Sequence, residues 1–365
     1  MKTTIVALGL SLALCAAASA QVADTTHTIK NSTLDTSVPE SPAFTVLGVT
    51  PSTITRPASP RQLASSLLNG VDKNGNFQTG IALDMAPYML FYGNQILLKD
   101  YQTNRVVQVL SRTQVSLATT KGASDADKSA KLAIGVNLAI FDKGDPRLNR
   151  DYVTALATVA VAVQNAQPAL SPLATPEDIK ARKDKLEAAV DAQTKAIRAQ
   201  YQKTSWNRSS WTVAAAPSWI SQDGSATNLA ANGAAVWTSL AYGFENVPGL
   251  KDNAQLVLHT RFHSNEAVPD PNKTGSTFQQ QSTVAGASLR LGTSTTIVSF
   301  EGAYIHTRPV DRAADDYLRI SLGAEERLSD NVWLHFSVGG ESGQKNGQNK
   351  LFILGAFKWA AGPKE

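Results

Sequence analysis

From Lys131 the chain reads KLAIGVNLAIF, and apolar positions alternate with small or polar ones without interruption. Leu132, Ile134, Val136, Leu138 and Ile140 share one face, and Ala133, Gly135, Asn137 and Ala139 share the other. A period of two predicts a β-strand with one apolar face. Length adds to period: strands of soluble domains average about 5–6 residues, whereas a bilayer-spanning strand needs about 9–11. Related patterns recur down the chain and predict eleven strands, at about 77–91, 105–119, 130–141, 209–220, 234–244, 254–264, 281–291, 295–306, 317–326, 331–340 and 350–359.

The faces of these strands repeat one theme. On 209–220, Trp211, Val213, Ala215, Pro217 and Trp219 oppose Thr212, Ala214, Ala216 and Ser218. The two tryptophans lie eight residues apart, roughly 20 Å along a membrane normal for a strand tilted near 40°. Pro217 has no amide to give a ladder and predicts a strand end or a bulge. Leu256, Leu258 and Phe262 oppose His259, Arg261 and His263; Leu318, Ile320, Leu322 and Ala324 oppose Tyr317, Arg319, Ser321, Gly323 and Glu325. Val332, Leu334, Phe336 and Val338 oppose Trp333, His335, Ser337 and Gly339. A soluble sandwich would also alternate, with its apolar face as core. Strand length, the small residues of the second face and the paired tryptophans favour lipid instead.

Between 141 and 209 the pattern changes. Thr175-Pro176-Glu177-Asp178 is a helix start, with a threonine N-cap, proline at the first position and acids in the first turn. The helix is expected to run to about Gln202 with a thin apolar stripe of Ile179, Leu186, Val190, Ile197 and Tyr201. Tyr152 to Val163 (YVTALATVAVAV) fits a partner helix, and also a strand. A helical insertion at about 142–208, packed as a hairpin outside the membrane, is the economical reading.

The first residues set the compartment. Lys2, an apolar run from Ile5 to Ala17, and Ala18-Ser19-Ala20 make a secretory signal at 1–20, so the mature chain is expected to begin at Gln21. Leu12-Ala13-Leu14-Cys15 resembles a lipobox, but Leu14 stands where a small residue is required. Cys15 is the single cysteine, so the mature chain has no disulfide and no thiol chemistry. Residues 21–76 read as a polar leader with two candidate elements: a short strand at Phe44–Val49, and a short helix at Arg61–Asn69 that is either a lumenal plug or a periplasmic helix. Asp72-Lys73-Asn74-Gly75-Asn76 begins like a calcium loop but has Phe77 at the sixth position and Leu83 at the twelfth, and reads as a turn. Net charge is +4 in 365 residues, which gives nucleic acid no footprint. Mean hydropathy is −0.16. Outside the signal no stretch of 18 apolar residues exists, which excludes helical spans.

Short turn signals (Gly292-Thr293-Ser294, Leu328-Ser329-Asp330) and longer connections (265–279, 341–349) join the strands. The last strand ends Gly355-Ala356-Phe357-Lys358-Trp359, followed by the tail 360–365. This ending resembles the C-terminal assembly signal of bacterial outer-membrane β-barrel proteins, and the resemblance extends over roughly 77–359. It implies an all-β fold: an antiparallel transmembrane β-barrel with a helical insertion, in the cell outer membrane. Bacterial single-chain barrels have even strand numbers. Twelve is therefore expected, with 44–49 as the added strand, and ten is the alternative. Barrel assembly machinery and outer-membrane lipid are the implied partners, with an envelope component for the helical insertion.

Alternation then places Asp84, Arg112, Gln114, His259, Arg261, His263, Arg290, Glu301, Arg319, Glu325 and His335 in the lumen, and makes Trp211, Trp219, Phe357 and Trp359 the candidate aromatic girdles. Lumenal charges either line a channel or pair to close it. Four arginines against three acids lean toward anions. His259, His263, Ser264 and Ser337 are residue types of a barrel hydrolase, but no nucleophile elbow or orienting carboxylate accompanies them. His259 and His263, four apart on a strand, stand about 13 Å apart, too far to share a metal. No cofactor is expected. Three functions remain: a passive pore for small solutes, a non-conducting barrel anchoring the helical insertion, and an outer-membrane hydrolase.

Overall fold

The computed structural model describes residues 43, 82–93, 95–121, 129–166, 175–225, 228–269, 277–329, 332–343 and 350–359. The signal at 1–20, the candidate elements at 44–49 and 61–69, the turn at 72–76 and the tail at 360–365 lie outside the described residues.

Eleven strands form one antiparallel sheet in sequence order, a continuous meander. They are β1 (Ala82–Met85), β2 (Gln114–Lys121), β3 (Ala130–Asp142), β4 (Ser210–Ser221), β5 (Leu229–Gly243), β6 (Ala254–Pro269), β7 (Thr277–Gly292), β8 (Thr296–Pro309), β9 (Asp315–Ser329), β10 (Val332–Ser342) and β11 (Lys350–Trp359). β3 to β10 run 11 to 16 residues each. Among the described residues the count is eleven rather than the expected twelve or ten, and β1 and β11 are the edges: no ladder closes the sheet.

Burial on the two faces is inverted relative to a water-soluble sheet. Ala118, Ala133 and Ala216 are 0% exposed, and Ser116, Ser221, Ser282, Ser299, Ser321 and Ser337 are buried with them. On the reverse face Val236 is 49% exposed, Phe300 59% and Leu322 51%, and Ile134, Val136, Leu240, Leu258, Phe262, Ile320, Phe336 and Val338 are exposed too. We term these the inner and outer faces. On the inner face Ala43, Ala118, Ala133, Ala216 and Ala235 form a buried cluster with Trp237 packed against it. The Ala43 N–H donates to Ser116 Oγ at 3.0 Å.

The bulge expected at Pro217 is present. Pro217 faces Ala234 and Trp219 faces Ala231, so β5 carries one extra residue at Asn232-Gly233. Gly233 has φ +105°, and a Cβ there would lie 2.2 Å from the Ser264 carbonyl oxygen. Only glycine fits that bend.

Among the described residues the helices that connect strands collect at one end of the sheet. α1 (Pro87–Tyr92), α2 (Leu98–Thr103) and α3 (Arg105–Arg112) connect β1 to β2, and α4 (Arg150–Ala166) and α5 (Pro176–Ser205) connect β3 to β4. The insertion is therefore a helical hairpin as expected, with Tyr152 to Val163 helical. Thr175 caps α5 in a reciprocal box with Asp178, and the helix is about 45 Å long at 1.5 Å per residue. Two strand assignments need correction. Of 77–91 only Ala82–Met85 is a described strand, because Pro87 starts α1 at its first position. Of 105–119 only the second half is strand: the Asn104 side chain accepts from the Val106 and Val107 amides and nucleates α3. The short turn 293–295 falls at this same helical end, so that end does not carry long connections alone.

Candidate functional site

Register places two charged ladders on the inner face. In the first, Gln255 on β6 stands opposite Arg290 on β7, and Glu325 on β9 opposite His335 on β10. Arg290 Nη1 donates to Gln255 Oε1 at 3.2 Å and Nη2 to Glu325 Oε2 at 3.4 Å. His335 Nδ1 lies 3.2 Å from Glu325 Oε1. The Arg290–Glu325 contact crosses β8 between Ser299, the register partner of Arg290, and buried Ile297, the register partner of Glu325; beside Ser299 on β9 stands Gly323, where a Cβ would lie 2.5 Å from Ser299 Oγ. Small residues clear the path that the long side chains take. In the second ladder Arg319 and Glu341 are direct register partners. Arg319 Nε donates to Glu341 Oε1 at 2.8 Å, and the guanidinium lies 5.4 Å from the Phe352 ring.

The remaining lumenal candidates distribute as follows. His259, Arg261 and His263 share the inner face of β6, and His259 Nδ1 lies 2.8 Å from Ser239 Oγ. Arg261 stands opposite Trp237 and Val284. Asp84 is buried opposite Ser116, and Gln114 opens β2 opposite Asn137. Glu301 shares the inner face with Ser299 but is exposed, with Ser288 Oγ 3.4 Å away. Ser264 Oγ is bonded to the Ala234 backbone. Among the described residues no group of three His, Cys, Asp or Glu could hold a metal.

Arg112 is the correction. It lies at the end of α3, off the sheet, inside a network at the helical end. Arg112 Nε donates to Tyr101 Oη and Asp145 Oδ2, both at 2.9 Å. Arg147 donates through its backbone N–H and Nε to Asp145 Oδ1, and through Nη2 to Oδ2, each at 2.9 Å. The Tyr101 hydroxyl also donates to Asp145, and the Arg147 guanidinium lies 4.2 Å from the Tyr101 ring centroid. Burial alone would raise the Asp145 carboxyl, but the two arginines and the tyrosine hold it at about 2. Burial pushes the Tyr101 hydroxyl well above its ordinary range, with Asp145 adding to the effect. The tyrosine therefore stays a donor. The network joins α2, α3 and the β3–α4 connection. Tyr201 adds α5, stacking on Tyr152 at 4.6 Å and donating to the Gly144 carbonyl at 3.2 Å.

The end of α5 is tied to the sheet at separated points. Trp206 Nε1 donates to the Asp252 carbonyl at 2.8 Å, and Asn207 Nδ2 to the Ala254 carbonyl at 2.9 Å. One turn earlier, Gln202 accepts from Arg327 Nη1 on β9 at 3.2 Å. β6 and β9 are three strands apart, about 14 Å along a sheet, so the last turn of α5 bridges strand ends across the inner face.

Outer-face aromatics stand at several levels of the sheet, and two pairs of them lie near the helical end. Trp211 is exposed, lies 6.5 Å from Phe141, and bonds Thr238 through Nε1. Tyr242 is exposed with Phe244 at 5.4 Å. Trp219 is half-buried, opposite Leu132. Phe357 and Trp359 pair in register with Leu334 and Val332.

Gln255 was readable within the expected strand 254–264 by carrying the alternation of His259 back two steps, and Glu341 by extending that of β10 by one step. Asp145 was not, since an Asp-Pro pair after a strand announces only a turn. No protein-family model and no curated protein matches the chain.

Proposed function

We propose that the protein is an outer-membrane β-barrel that encloses a narrow passage for small solutes, with a helical domain fixed at one mouth. The inverted burial carries this reading. A soluble sheet buries its Leu, Val, Ile and Phe side chains; here most of those on β3 to β10 are outside, Ile297 and Ile305 being buried exceptions on the inner face, and alanine and serine are inside. The outer apolar stretch of β9, Leu318 to Ala324, is bounded by Asp316, bonded to Tyr304 and His306, and by Glu326, bonded to Thr296. The ten residue steps from Asp316 to Glu326 span about 33 Å along the strand, or about 25 Å of membrane thickness at the usual tilt. That is the height of the apolar band of outer-membrane barrels. With eleven strands, β1 and β11 run in the same direction, so antiparallel closure takes one further strand.

The passage follows the β7–β10 wall, where Ser288, Ser299, Ser321, Gly323, Ser337 and Gly339 are small and Glu301 meets solvent. Removing Arg112 from the lumen and adding Glu341 abolishes the arginine excess, so no anion preference is proposed. The second reading, a non-conducting barrel that presents the helical hairpin, draws on Ala43 seated inside and on the Gln202–Arg327 bridge.

Fractionation and planar-bilayer recording test the two together. The expected result is a protein starting at Gln21, released from outer membranes only by detergent, with discrete conductance steps. Recovery from the soluble periplasm would overturn the membrane reading. Membrane insertion with no conductance would leave the second.

A further inference from the structure

A polar recess of about 290 Å³ opens at the helical end, lined by Lys143, Leu148, Asn149, Tyr201, Thr204, Ser205, Arg208 and Glu245. We infer that it binds the headgroup of a membrane glycerophospholipid, its phosphodiester held between Lys143 and Arg208; this rests on the membrane reading above. The first argument is position. Lys143 follows Phe141 by two residues, and Phe141 packs on exposed Trp211; Glu245 follows Phe244, which packs on exposed Tyr242. Aromatic belts mark the level where acyl chains meet headgroups. Two residues of strand add about 7 Å, so the recess lies at headgroup depth.

The second argument is charge. Lys143 Nζ lies 3.7 Å from Glu245 Oε1, and Arg208 Nη1 3.6 Å from Glu245 Oε2. Arg208 Nη2 is 3.8 Å from Asp252 Oδ1. Charge-assisted hydrogen bonds close to about 2.7–2.9 Å, so two cations share one carboxylate without closing on it. A phosphodiester that took the place of Glu245 between them would complete both and free that carboxylate. The surroundings are fixed: Arg208 Nε donates to the Thr204 carbonyl at 3.1 Å, the Lys143 N–H to the Ser209 carbonyl at 2.9 Å, and Tyr201 to Gly144. Glu245 also matches the ammonium of a phosphoethanolamine headgroup, which makes a zwitterionic lipid the best fit.

Native mass spectrometry of the full mature protein in detergent micelles containing dioleoyl phosphatidylethanolamine tests this. The wild type is expected to retain one lipid that K143Q/R208Q loses, with apparent affinity down at least tenfold. The control K180Q/K185Q, which removes the same charge from the exposed part of α5, should retain it. Should the double variant not fold, K143Q alone, at an exposed side chain, should still weaken retention about threefold. Wild-type-like retention by a folded K143Q/R208Q variant, or absence of a retained lipid on the wild type, overturns the inference. Displacement by millimolar inorganic phosphate would also overturn it, since a free-anion site is then the better description. A protein that stays soluble without detergent or vesicles would instead overturn the membrane reading itself.

Discussion

Two clusters in this molecule are built from the same parts and end differently. At the helical end, Asp145 sits between Arg112 and Arg147, its side chain 3% exposed and every polar contact at 2.9 Å or less. On the inner face, Glu325 sits between Arg290 and His335, its side chain 14% exposed and its partners at 3.4 and 3.2 Å. The first is dry and tight; the second is looser and more exposed. Taking charges out of water is expensive, and only a fully bonded cluster recovers the cost. Both Asp145 carboxylate oxygens are bonded, with Arg112 Nη2 the one buried donor of the cluster left without a partner among the described residues, and the cluster braces helices against sheet. Glu325 keeps partial access to water and, on the proposed reading, belongs to a lining. Composition alone does not separate brace from lining; burial does.

The largest expected difference follows from that. Asp145→Asn leaves buried Arg112 and half-buried Arg147 short of a carboxylate and is expected to cost about 3 kcal/mol. Glu325→Gln leaves partly hydrated partners and should cost about 1 kcal/mol or less. Denaturant midpoints of the refolded protein measure both. Equal costs would erase the distinction.

The next test sharpens which side of the sheet is wet. Val136, exposed on the outer face of β3, should meet lipid near mid-depth, so Val136→Arg is expected to destabilise by about 2–4 kcal/mol. Ser288→Arg, on the inner face beside solvent-exposed Glu301, should stay within about 0.5 kcal/mol. Heat-modifiable gel mobility reports the fraction folded. A reversed order would exchange the two faces.

Protons probe the brace alone. The Asp145 carboxyl titrates at about 2 in the folded protein against an ordinary 3.8. Between those values the folded state binds fewer protons than the unfolded. Its contribution is thus complete above about pH 4 and is lost as pH falls toward 2, about 2 kcal/mol in all. Stability curves of wild type and Asp145→Asn should converge over that window. Parallel curves would show that Asp145 is not held down by its arginines.

The sheet was legible because its signal is redundant. From Ala130 to Trp359 each strand repeats the alternation over ten residues or more, and a boundary error of one or two residues leaves the faces intact. The helical hairpin was legible at Thr175-Pro176, where cap and proline act together. The helices before β2 were hidden because RVVQVLSR is rich in β-branched residues and also alternates acceptably, while the Asn104 cap that decides for helix is a single side chain. Arg112 went to the wrong place with them. Asp145 pairs with Tyr101 and Arg112, 44 and 33 residues away, a proximity that no local pattern encodes. The interior ladders were half legible: parity names the residues on a face, but it does not tell that Arg290 reaches past β8 to Glu325.

The smallest effect tests the lining where it is wettest. Glu301 is exposed on the inner face, with Ser288 Oγ at 3.4 Å as its neighbour. Glu301→Gln should leave stability within about 0.5 kcal/mol, because little burial depends on the charge. Its effect belongs in conduction. With Arg290 facing Glu325 and Arg319 facing Glu341, the paired charges nearly cancel, and an exposed carboxylate becomes a main local field in the passage. Such a group raises the local cation concentration, and salt screens it over about 8–10 Å. Glu301→Gln should therefore move the reversal potential in a salt gradient toward anion preference, more at 0.1 M than at 1 M salt. A shift of the same size at both concentrations would place Glu301 in a constriction rather than on a wide wet wall. No shift at all in a conducting protein would route the ions elsewhere.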